Sequence, residues 1–176
     1  MFLMRFADSQ RLHLSSARLG CNIESKFFRR LFPNFGGQQL GCLELAGYLL
    51  DTAIVHAVAK VLEQTPNLEI LSLFMSPKIL SKEKMGPELE YDGCLDSAFI
   101  PDVSPSCLRR RVREINLVHY QGHMAQRMVA NWLLQNAPVV SRVSVVLPKG
   151  PLWIQDSLIK EIKGWSMNQS TKMVFL

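Results

Sequence analysis

Cys107, His119 and His123 have the spacing closest to known chemistry. Cys107-x(11)-His119-x(3)-His123 copies half of a C-x(2–4)-C…H-x(3–5)-H zinc finger. A structural zinc needs four ligands in a tetrahedron, and one is missing. Two to four residues before Cys107 stand Pro105, Ser104 and Val103, and Cys94 is too far upstream to serve. Cys107 therefore reads as a buried thiol with two turn histidines, and no metal site is expected. Nucleophilic catalysis has no better footing, since there is neither a G-x-S-x-G elbow nor a Cys–His pair with a recognisable local signature. Phe35-Gly36-Gly37-Gln38-Gln39-Leu40-Gly41 lacks both the G-x-G-x-x-G spacing and a P-loop lysine, so it reads as a turn leading into a strand. The chain is expected to be no enzyme and to carry no cofactor.

Arg109, Arg110, Arg111 and Arg113 supply much of the formal net charge of +5. Cations of this kind contact phosphates, and Arg109, Arg111 and Arg113 would share one face if a strand began that early. Single-strand binders interleave stacking aromatics with such cations, and none stands here. A basic nucleic-acid-binding surface is accordingly the alternative reading. The simpler one is that the acids Glu83, Glu88, Glu90, Asp92, Asp96 and Asp102 neutralise the arginines at the surface.

These residues must be positioned by a fold that 176 residues, 48% hydrophobic and 20% charged, can build. Cys21, Cys42, Cys94 and Cys107 are too scattered for a disulfide framework and suit a reducing compartment. Arg5 and Asp8 break the apolar start, so no secretory leader is expected. The most apolar stretch, Leu45 to Leu62, holds Asp51, His56 and Lys60, which argues for a helix stripe rather than a membrane span. A soluble protein of the cytoplasm or nucleus, with no membrane partner, is the expectation.

The stronger signal is periodic. Leu40-x-x-Leu43-x-Leu45 recurs as Leu68-x-x-Leu71-x-Leu73, Val112-x-x-Ile115-x-Leu117 and Val140-x-x-Val143-x-Val145, with weaker copies at Leu12-x-Leu14 and Met173-x-Phe175. The anchors 12, 43, 71, 115, 143 and 173 are spaced by 31, 28, 44, 28 and 30 residues, so one insertion of about 16 restores the period. Alternation sends Leu71 and Leu73 inward and Ile70, Ser72 and Phe74 outward. Between strands the period becomes helical. Ile54, Val58, Val61 and Leu62 form a stripe with Asp51 as N-cap, ending near Gln64 before Pro66. Met124, Met128, Trp132 and Leu133 form another, stopping before Pro138. A third helix is predicted from a cap at Asp156 through Leu158, Ile159 and Ile162 to about Gly164. The expected fold is α/β: a solenoid with a parallel sheet on one face and helices on the other. Residues 1–75 would form repeats, 76–106 an acidic, proline-containing loop insertion, and 107–176 a region continuing the stack.

The run Thr65-Pro66-Asn67-Leu68-Glu69-Ile70-Leu71-Ser72-Leu73, with the strand and helix before it, resembles the leucine-rich repeats of plant F-box proteins. From Cys107 onward the chain resembles the FBD region that follows those repeats. The features shared are a Cys-Leu pair, a basic strand, Tyr120-Gln121-Gly122, the helix end Leu133 to Ala137, and the closing segment Asn168 to Leu176. No F-box pattern precedes the first repeat, so the expectation is a C-terminal portion or truncated gene product, and a truncated fragment without independent function is a further alternative. The resemblance implies substrate recognition for ubiquitination by a protein-interaction module, without the segment that docks on the ligase adaptor.

In such a solenoid the outward strand residues line the binding face. Here they are Arg11, His13, Cys42, Glu44, Ile70, Ser72, Glu114, Asn116, Arg142 and Ser144, a mix suited to an unknown protein partner rather than a small molecule.

Overall fold

Repetition of an apolar-x-apolar core through the chain means that each short strand can bury one face only if its neighbours stand in register. A computed structural model describes residues 10–19, 39–49, 54–75, 104–165 and 170–176. In chain order these form β1 (Arg11–Leu19), β2 (Cys42–Leu49), α1 (Ile54–Glu63), β3 (Ile70–Met75), α2 (Ser106–Arg110), β4 (Glu114–Val118), α3 (Met124–Asn136), β5 (Arg142–Val146), α4 (Leu152–Lys163) and β6 (Lys172–Phe175). The strands make one parallel sheet in strictly sequential order. The class is α/β.

All six anchors read from the spacing stand on one rung: Leu12, Leu43, Leu71, Ile115, Val143 and Met173 pair in turn across the sheet. The next inward rung is Leu14, Leu45, Leu73, Leu117, Val145 and Phe175. Its central members are buried, whereas Leu14 and Phe175 on the outer strands are only partly so. Each fully buried leucine stabilises the fold by about 1.5–3 kcal/mol relative to an exposed one.

One hydrogen-bond device recurs where the strands begin. The carbonyls of Gln10, Gly41, Glu69 and Arg113 each accept two consecutive N–H groups from the next strand, at 2.8–3.2 Å. The helix-to-strand turns repeat as well. Leu68 N–H donates to the Thr65 carbonyl (3.2 Å) around Pro66, and Val140 N–H donates to the Ala137 carbonyl (3.1 Å) around Pro138. Proline at the second position of each turn supplies the required φ. The buried Thr65 hydroxyl donates to the Leu62 carbonyl at 3.2 Å and closes the last turn of α1.

The helices supply the other half of the core. α1 buries Ile54, Val58, Val61 and Leu62, and α3 buries Met128, Trp132 and Leu133. Cys107 and Leu108 of α2 and Leu158 and Ile162 of α4 join the same cluster. Asp51, the expected cap of α1, lies outside the described residues, as does nearly all of the expected insertion, 76–103.

Two elements differ from expectation. α4 begins at Leu152 rather than after Asp156, with Pro151 at its N-cap. Its first turn carries Leu152 and Trp153 at 76% and 72% exposure, so that turn follows no buried stripe. The basic segment after Pro105 is a helical turn: α2 runs to Arg110 and β4 starts only at Glu114.

α4 is pinned to α3 by polar contacts. Arg127 Nη2 donates to Glu161 Oε2 at 2.9 Å, with Nε ion-paired to Oε1 at 2.8 Å, and the Tyr120 hydroxyl donates to Oε1 at 3.2 Å. The Trp165 ring stands edge-on to Tyr120 at 6.2 Å.

Candidate functional site

Strand alternation leaves a second set of rungs on the face opposite the core, and this is where the expected interaction residues stand. The first outward rung is Arg11, Cys42, Ile70, Glu114, Arg142 and Lys172. The second is His13, Glu44, Ser72, Asn116, Ser144 and Val174. All ten expected residues therefore fall on two adjacent rungs of one sheet face. Residues 11 and 144, far apart in sequence, share that surface because every crossover returns to the same end of the sheet.

The β1–β2 end of the face is charge-paired. Glu44 receives His13 Nδ1 at 3.0 Å and Arg11 Nε at 3.4 Å. The Cys42 side chain, and then Glu44, hold the Arg11 guanidinium further toward its charged form. The His13 ring meets Phe74 edge-on at 6.0 Å. At the centre, Asn116 Nδ2 lies 3.1 Å from both Ser72 Oγ and Glu114 Oε1 and donates to them. Ser72 and Ser144 are buried, only 6% exposed. They shape the surface more than they present groups to a partner.

The expected residues omit part of the face. Lys172 and Val174 extend the two rungs onto β6, and Ser15, Ala46, Phe74, Val118 and Val146 form a third rung toward the strands' C-terminal ends. Continuing the same alternation by one more pair along each strand finds them. The third rung is mostly apolar, with Ala46, Phe74, Val118 and Val146 partly exposed.

Arg109 and Arg110 lie in α2, Arg111 follows it, and Arg113 precedes β4; all four are exposed. Arg109, Arg111 and Arg113 therefore do not line one strand face. Pro105 starts a helical turn that buries Cys107 and Leu108, and consecutive arginines then point in different directions. Arg113 Nη1 donates to the Val139 carbonyl at 3.1 Å.

The Cys107 thiol donates to the Leu62 carbonyl at 3.3 Å, and burial pushes its pKa up from 9.0 to about 11. That environment keeps the thiol protonated and unreactive. His123 Nε2 lies 3.1 Å from Gln121 Oε1, while His119 is exposed on the turn after β4. Among the described residues no three His, Cys, Asp or Glu side chains gather as metal ligands, and no helix is long and apolar enough to cross a membrane. No protein-family model, curated protein or solved structure matches the chain.

Proposed function

We propose that this chain is a leucine-rich-repeat solenoid that works by binding rather than catalysis, presenting its open sheet face to a protein partner. The reading includes the likeness to the substrate-recognition part of plant F-box ubiquitin-ligase receptors, with its FBD-like C-terminal region. A partner would then be a protein recognised for ubiquitination in the cytoplasm or nucleus. The observation that carries the proposal is the register: four parallel pairings bring Arg11, His13, Glu44, Ile70, Glu114, Asn116 and Arg142 onto one face. Such a face mixes charge, amide and aliphatic surface in the manner of a protein-binding patch.

The test is affinity capture from plant extract with the purified chain and with a Glu44→Arg/Glu114→Arg/Arg142→Glu variant. A specific protein should be recovered by the first and lost, by about tenfold or more, with the second, while both give the same circular-dichroism melt. Recovery indifferent to these changes would show that the partner binds elsewhere.

A further inference from the structure

The two ends of the outward face handle charge differently, and that difference specifies a partner. At β1–β2 the acid and its cations satisfy one another, since Glu44 is held by both Arg11 and His13. At the opposite end Arg142 and Lys172 stand directly across from each other on β5 and β6, and both are exposed. Like charges placed opposite on adjacent strands repel. Among the described residues neither takes part in an ion pair. Glu114, the neighbour of Arg142 on β4, accepts a hydrogen bond from Asn116 on its own strand instead.

Above this cation pair the third rung is apolar. Val118 and Val146 pair in register and are half-buried. They lie four residues further along their strands than Glu114 and Arg142, a distance of about 13 Å in extended backbone.

Resting on the reading of this face as a protein-binding surface, we infer that its β4–β6 half takes an acidic peptide segment. The segment places two adjacent carboxylates on Arg142 and Lys172 and an apolar side chain, about four extended residues away, on Val118 and Val146. Nucleic acid fits less well. Val118 and Val146 are aliphatic and offer no ring face for a base to stack on, and the ring on that rung, Phe74, stands two strands from Arg142 with His13 edge-on to it.

The experiment is fluorescence anisotropy with the full chain. The probe is a labelled peptide carrying Asp-Asp four positions from a Leu, compared with a peptide of the same composition with that spacing scrambled and with an oligothymidylate of equal charge. The spaced peptide should bind about fivefold or more tighter than the scrambled one, and weaken several-fold between about 0.05 and 0.2 M salt. Arg142→Gln/Lys172→Gln should weaken it by about tenfold, and Val146→Asp by a similar factor.

Equal binding of spaced and scrambled peptides, or indifference to the Arg142/Lys172 variant, overturns the inference. Tighter, Arg142-dependent binding of the oligothymidylate overturns it in favour of nucleic acid. Loss of peptide binding alone, with capture of a protein still sensitive to Glu44→Arg and Glu114→Arg, removes this inference and leaves the binding face standing. Failure of both removes the face itself.

Discussion

At the scale of single residues, the groups most altered by the fold are buried acids that serve packing. Cys107 is fully buried and its pKa rises from 9.0 to about 11, chiefly through burial. A raised folded-state value favours the protonated thiol in the native state. Its contribution is therefore whole below pH 9.0 and is lost as the pH rises through about 11, amounting to about 3 kcal/mol. Chemical denaturation of the wild type should show stability falling across that window. Cys107→Ala should flatten this part of the curve, and an unchanged slope would mean that another group carries it. Tyr120 has the same sign still higher in pH, because burial and then the nearby Glu161 carboxylate push its phenol up.

At the scale of elements, the seat of α4 rests on few buried side chains. Its buried residues are only Leu158 and Ile162, and it docks where the backbone turns at Gly122. Gly122 has φ 76°, and a Cβ there would come within 2.5 Å of Leu158 Cδ2. Gly122→Ala meets both penalties, a left-handed backbone and a displaced Leu158 side chain in the core, and should cost about 2 kcal/mol in urea denaturation. A Gly122→Ala variant with unchanged stability would show that neither the left-handed backbone nor the contact with Leu158 constrains that turn.

At the scale of the molecule, stability should be graded across the sheet, because each strand is flanked only by its neighbours in sequence. Leu71 on β3 is fully buried, whereas Met173 on the outer strand β6 is only partly so, although both stand on one rung. Leu71→Ala should cost about 3–4 kcal/mol and Met173→Ala about 1 kcal/mol, measured by chemical denaturation. Equal costs would contradict the grading. That rung was legible in the sequence because alternation and spacing both act locally. So were α1 and α3, whose stripes span two turns or more. α2 was not legible, being too short for any period to register, and its arginines read equally well as an early strand. The start of α4 was hidden because Leu152 and Trp153 are apolar yet face water. The outward face could be named from alternation, but the pairing of Glu44 with Arg11 and His13 appears only once β1 and β2 lie side by side.

Sequential order in the sheet has a consequence for how such a chain can change over generations. Every hydrogen-bonded neighbour is also the next strand in the gene, so duplicating or deleting one strand–crossover unit of about 30 residues rewires a single junction. Interleaved sheets have no such freedom, since inserting a strand there separates partners that were adjacent. Here the breadth of the outward face can grow or shrink one strand at a time. The cation pair on β5 and β6 can also be parted from the Glu44 cluster, or brought nearer to it, without redesign of either.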